Sequence, residues 1–105
     1  MEQIPNFENT LHLNLHRRWF DMILKGVKKE EYREISAYWV KRLASKNFST
    51  ITFSNGYAKN RRQFVIEWCC LQTSMGLLEW GAPADKQVYI LRLGKILWKN
   101  KYCNE

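Results

Sequence analysis

Between Gln63 and Leu71 the chain reads Gln-Phe-Val-Ile-Glu-Trp-Cys-Cys-Leu, with Glu67 the single charge in an apolar run. Apolar residues follow one another here instead of alternating with polar ones. That is the pattern of a strand buried on both faces, as in a closed barrel. A carboxylate inside such a strand is costly unless it is paired or reaches a polar cleft. Glu67 is therefore expected either to pair with a basic residue or to point into a cleft.

The segments on either side supply what a barrel needs. Thr10 to Leu15 is expected to be the first strand, because Leu11, Leu13 and Leu15 alternate with His12, Asn14 and His16. His16 closes that strand just before a helix, where it either lines a cleft or faces water. Arg17 to Lys25 carries Trp19, Phe20, Ile23 and Leu24 at helical spacing. Gly26 follows where a helix commonly ends, after Lys25, whose charge suits the negative end of the helix dipole. Lys28 to Glu34 reads as a charged strand. Ser36 is placed to cap a second helix, Ala37 to Ser45, with Tyr38, Trp39 and Leu43 turned inward and Lys41, Arg42 and Lys46 turned outward.

Ser49 to Phe53 is a short strand ending in the Asn55-Gly56 turn, and Ala58 to Arg62 is a basic loop. After the apolar run, Gln72 to Gln87 is a long connection pinned by Leu77, Leu78 and Trp80. Val88 to Leu97 is the last strand, with apolar residues on either side of Arg92, and Trp98 to Glu105 reads as a frayed polar tail. The order is strand, helix, strand, helix, strand, strand, strand. This predicts an α+β fold: a small mixed β-barrel of about five to six strands with two helices near the N-terminus. The 105 residues make a single domain, 1–105, with its core at about 10–98.

Charge narrows the expected partners. Seventeen Lys and Arg against ten Asp and Glu give a net charge of +7. A small basic domain favours a polyanion, with nucleic acid ahead of an anionic surface, although solubility alone also accounts for such a charge. Cys69, Cys70 and Cys103 are an odd set with two adjacent, which makes a poor disulfide framework. His12 and His16 are too few for a zinc site, so neither metal nor cofactor is expected. No apolar run approaches a membrane span and Met1 to Asn9 is unlike a signal peptide, so a reduced, cytoplasmic setting is expected.

The densest charge lies at Lys28, Lys29, Glu30, Glu31 and Arg33, directly after the Gly26 turn. On pattern alone this is a solvated strand. The pattern Gly26-x-Lys28-x-x-Glu31-x-Arg33, following a strand and a helix, also resembles the signature of the ASCH domain, a relative of the PUA RNA-binding domain. The order of elements, with Phe53-Ser54-Asn55-Gly56-Tyr57 and Glu79-Trp80-Gly81, looks like a compact bacterial or phage-type subgroup of that family over Leu11 to Leu97. The resemblance implies a PUA-like barrel with a cleft beside the first helix, lined by Lys28, Glu31 and Arg33, and RNA or nucleotide-like ligands. Some members are enzymes. One branch hydrolyses acylated cytidine with a motif lysine, a threonine three residues later and a more distant glutamate. Here Lys28 matches the lysine, Glu31 stands at the threonine position, and Glu67 stands for the distant glutamate.

The side chains themselves suit a polar, planar, anionic ligand. Lys28 is a point charge for phosphate and Arg33 a planar fork for phosphate or a base edge. Glu31 can accept from an exocyclic amine. Tyr32 and Tyr57 offer stacking faces, against the plainer reading of packing residues. Asn55, Asn60 and Arg61 lie in a turn able to close over such a site. The expectation is an RNA or single-stranded nucleic-acid binder. The alternatives are a small hydrolase of a modified nucleoside or of RNA, with Lys28, Glu31 and Glu67 as catalytic candidates, and a protein-interaction module.

Overall fold

The computed structural model describes residues 7, 9–43 and 48–104. Five strands are present: β1 (Thr10–Asn14), β2 (Glu30–Arg33), β3 (Thr50–Ser54), β4 (Gln63–Ser74) and β5 (Val88–Lys99). Two helices, α1 (Arg17–Leu24) and α2 (Ala37–Leu43), lie before β3. The strands form one mixed sheet in the order β1-β3-β4-β5-β2. β1 and β3 are parallel, with Leu13 beside Phe53, and the other neighbours are antiparallel.

The sheet curls into a half-barrel because its strands overlap in a staggered way. β3 is only five residues long and pairs with β4 from Gln63 to Glu67. β2 pairs with β5 from Tyr89 to Arg92, opposite the far end of β4. Register shifts between Val65 and Cys70 lie where the two halves meet. Bulges there strengthen the local twist, and stagger of this kind is what curls a sheet toward closure. The two edge strands, β1 and β2, are brought close enough that Arg33 Nη2 at the end of β2 donates to Asn14 O at the end of β1 (3.3 Å). A side chain makes the connection that a backbone ladder would make in a closed barrel.

The concave face holds the core. Leu11, Leu13 and Leu15 from the β1 segment meet Ile51 and Phe53 of β3, Phe64 and Ile66 of β4, and Leu91 of β5. α1 lays Phe20 and Ile23 across them, and the Phe20 ring meets Phe64 edge-on at 4.8 Å. α1 ends in a Schellman turn. Gly26, at φ +79°, donates to Ile23 O, and Val27 donates to Met22 O. Reversal at that glycine sends the chain straight into β2. Ser36 caps α2, its Oγ accepting from Trp39 N–H at 3.4 Å.

Four expectations need correction. β4 is not buried along its length: Phe64, Val65 and Ile66 are buried, but Cys69 and Cys70 are exposed. Among the described residues no strand lies on the β3 side of β4 beyond Glu67, so that edge reaches water. The stretch 98–104 is not a frayed tail. Trp98 and Lys99 complete β5, and Lys101–Asn104 forms a 3-10 turn. Asn100, only 7% exposed, is held there by Gln63 N–H on its Oδ1 and by its own Nδ2 on Arg61 O. Tyr38 is exposed, since α2 faces the body through Trp39 and Leu43 instead. Leu77 and Leu78 are exposed too, and backbone bonds pin their connection: Leu77 N–H donates to Tyr32 Oη, and Trp80 O accepts from Lys28. Lys46, expected on the outer face of α2, lies outside the described residues.

Candidate functional site

Where β1 and β2 approach, an open cleft of about 1040 Å³ lies between the end of β1, the start of α1, β2, α2 and the turn after β3. The carboxylate of Glu31 organises its floor. Glu31 is 6% exposed, with Oε2 2.8 Å from Arg33 Nη2 and Oε1 3.3 Å from Lys28 Nζ. Lys28 is 2% exposed. Its ammonium also donates to Trp80 O and lies 4.9 Å and 4.8 Å from the Trp19 and Tyr32 ring centroids. The Glu79-Trp80-Gly81 segment is locked over it, since a Cβ on Gly81 would come within 2.9 Å of Trp19. Lys28 is thus fully engaged behind Glu31. Burial pulls its pKa below the ordinary lysine value, with Glu31 opposing the shift.

A second layer stands on α2. Arg33 and Arg42 hold their guanidinium carbons 5.0 Å and 5.3 Å from the Trp39 ring centroid. Arg42 Nη2 donates to His12 O at 2.7 Å. The edge carbonyls of β1 at His12 and Asn14 are therefore both met by arginines, which blunts a strand edge otherwise open to pairing. At the C-terminal end of β1, beside the Arg33 contact, the turn after β3 is built tightly. Asn55 Nδ2 donates to Leu15 O, Gly56 N–H donates to Asn14 Oδ1, and Arg62 bridges Asn55 Oδ1 to Asp21. This fixes Tyr57, which is 87% exposed, and Arg61 at the mouth of the cleft.

The cleft is cationic. Arg17, Arg33, Arg42 and Arg61 line it with His12 and His16, and Glu31 is the only carboxylate among the lining residues. Glu31 is already paired, so the four guanidinium groups set the sign of the potential. α1 adds to it: His16 at its N-cap makes no side-chain cap, no acid occupies the first turn, and Arg17 and Arg18 stand there instead. Cations at the positive end of a helix dipole are placed against stability. Arg17 has no partner among the described residues.

The structure brings Glu31, Tyr32, Arg33, Asn55, Tyr57 and Arg61 together around the cleft. Lys28 sits behind it, and Asn60 and Glu67 are not among its lining residues. Glu67 Oε1 accepts from the Lys95 backbone N–H at 2.9 Å, an arrangement neither of the two expected outcomes included. Sequence reasoning missed Trp39, Arg42, Arg17 and His12 as cleft residues. The i, i+3 spacing of Trp39 and Arg42, which puts both on one side of α2, was the available signal.

The hydroxyl of Tyr32 donates to Glu30 Oε1 (2.8 Å) and accepts from Leu77 N–H (3.0 Å). Burial, with Glu30 and Glu31 near, pushes its pKa up to about 12 despite the Leu77 bond. The unfolded chain releases this proton first, so the protonated hydroxyl's contribution to stability is present below the ordinary tyrosine value and lost as pH rises toward 12. In a spectrophotometric titration, one tyrosine is expected to ionise late, with the fold failing alongside it. Tyr32→Phe should remove that late phase.

Among the described residues no group of three His, Cys, Asp or Glu side chains could hold a metal ion, and no helix is long and apolar enough to cross a membrane. No protein-family model, curated protein or solved structure matches the chain.

Proposed function

We propose that this chain is a nucleic-acid-binding domain that holds single-stranded RNA, or another phosphate-bearing nucleotide ligand, in the cleft between β1 and β2. One observation carries the reading: four arginines line one cleft whose only carboxylate is already paired. Guanidinium forks suit phosphate oxygens, and the exposed Tyr57 ring beside them suits a base. The net charge of +7 supplies the long-range attraction. The fold that accompanies this reading is a PUA-like half-barrel of the ASCH kind, with Glu31 and Arg33 of the Gly26–Arg33 motif in the cleft and Lys28 as the buried cation that holds Glu31 in place.

The hydrolase reading gains less support. Lys28 is buried and occupied, Glu31 stands where that branch has a hydroxyl, and Glu67 is engaged with the Lys95 backbone outside the cleft lining. The test is fluorescence anisotropy of a labelled single-stranded RNA at rising salt. If all four arginines meet phosphates, log affinity should fall linearly with log salt, with a slope of about −3. Absence of binding at low salt, or binding indifferent to salt, would refute the proposal.

A further inference from the structure

Cys69 and Cys70 lie outside the cleft, on the far half of β4. A regular strand sends neighbouring side chains to opposite faces. Here the pairing with β5 shifts between Trp68 and Cys70: Trp68 is opposite Leu93, Cys70 opposite Arg92, and Leu71 opposite Leu91. Two steps along β4 match one step along β5, as at a bulge. Trp68, Leu71, Leu91 and Leu93 all pack on the core side of the sheet. Cys70 is opposite Arg92, which stands between two core-facing leucines of β5, and so belongs to the outer face. Cys69 belongs there too, since its Sγ lies 3.1 Å from where a Cβ on Gly94, the residue after Leu93, would point. Both cysteines are exposed. The bulge therefore sets two adjacent thiols side by side on one accessible face.

Such a pair can close on itself or on a shared ion. The two Cα atoms are ~3.8 Å apart across a trans peptide, short of the ~4.4–6.8 Å that a disulfide usually spans. An ion held by two metal–sulfur bonds of ~2.3 Å lets the sulfurs stand up to about 4.6 Å apart instead of ~2.05 Å. Thiolates select soft ions. Zinc asks for three or four protein ligands, and among the described residues no group of three His, Cys, Asp or Glu could hold a metal ion. That leaves a soft ion satisfied by two thiolates, which is copper(I). Cys103 cannot join them. Its Sγ is bonded to Gln63 O, six residues and ~20 Å back along β4. We propose that Cys69 and Cys70 form a two-thiolate copper(I) site on the outer face of β4. Loading makes two Cu–S bonds, releases both S–H protons to solvent and changes no oxidation state. The site is separate from the cleft and does not rest on nucleic-acid binding.

The experiment is an anaerobic titration of the reduced full chain with copper(I) bicinchoninate, in excess zinc(II). One copper per chain should leave the coloured competitor. The Trp68 indole N–H signal should shift on loading, because Trp68 Nε1 donates to Cys70 O at 2.9 Å. Cys69→Ser and Cys70→Ser, with the fold checked by circular dichroism, should each abolish the uptake, and Cys103→Ser should leave it intact. No transfer from the competitor, uptake suppressed by zinc, or uptake unchanged in Cys69→Ser or Cys70→Ser would overturn the site. Half a copper per chain, with a doubled mass in gel filtration, would overturn it in favour of an ion bridging two copies.

Discussion

Replacing Glu31 with alanine is expected to destabilise the domain by about 3–5 kcal/mol, the largest effect of any single substitution in the cleft. Among the described residues Glu31 is the only carboxylate in contact with both Lys28 and Arg33, and its removal strands two cations in a poorly hydrated position. Arg33 stays charged and keeps only Asn14 O and the Trp39 face. Lys28 keeps Trp80 O and two aromatic faces, and it can escape by losing its proton. Burial already lowers its pKa, and Glu31 is the leading influence raising it. Without Glu31 the folded pKa falls further while the unfolded value stays put. The unfolded chain then binds more protons across that window, so the variant's stability should rise with pH up to the ordinary lysine value. Urea denaturation at neutral and alkaline pH measures both effects. Lys28→Met in the Glu31→Ala background should recover part of the loss, because it removes one stranded charge. A Glu31→Ala protein as stable as the parent at neutral pH would show that the buried network does not hold the cleft together.

The second large effect concerns binding. Arg17→Glu combined with Arg61→Glu should lower affinity for single-stranded RNA by at least about 100-fold, since two contacts become two repulsions. The salt dependence should become shallower by about 1.4 in slope. Stability should move the other way or not at all. A glutamate at position 17 stands in the first turn of an uncapped helix, where a negative charge stabilises by about 0.3–1 kcal/mol. The Arg61 side chain bonds only the Ala58 carbonyl of its own loop, and its backbone bond with Asn100 survives the substitution. Loss of binding with the fold kept or strengthened separates a ligand-contacting role from a structural one, a separation that Lys28 and Arg33 cannot provide. Unchanged affinity in the double variant would place the RNA elsewhere.

The order of elements was readable because it rests on local patterns. The alternation of Leu11, Leu13 and Leu15, the amphipathic spacing up to Gly26 and the Asn55-Gly56 turn each act within a few residues of sequence. Other features depend on distant partners and were not readable. The far half of β4 is exposed because β3 is short, which the apolar run at Phe64 to Leu71 cannot announce. Asn100 is buried because Gln63 and Arg61 meet its amide, so a polar tail became a fixed turn. Lys28 was expected to be a cleft cation, or on pattern alone a solvated one, yet Trp80, 52 residues away, supplies the carbonyl that permits its burial. Of the cleft itself, the motif indicated Glu31 and Arg33 but also Lys28, which lies behind the lining, and the Asn-Gly turn indicated Asn55, Tyr57 and Arg61 but also Asn60, which does not line it. The contribution of α2 was lost because Arg42 was read as an outward cation, when the curl of the sheet carries it against the β1 edge.

The proposed seat of the nucleic acid is the cleft between β1 and β2. The most direct measurement is a heteronuclear NMR titration of the isotopically labelled chain with a short single-stranded RNA. Shifts are expected to concentrate at His12, His16, Arg17, Tyr57 and Arg61, with Trp39 and Arg42 moving alongside, and to leave a quiet region at Cys69 to Ser74 on the open edge of β4. Shifts gathered on that edge, or on the exposed Leu77 and Leu78, with the cleft residues unmoved, would contradict it.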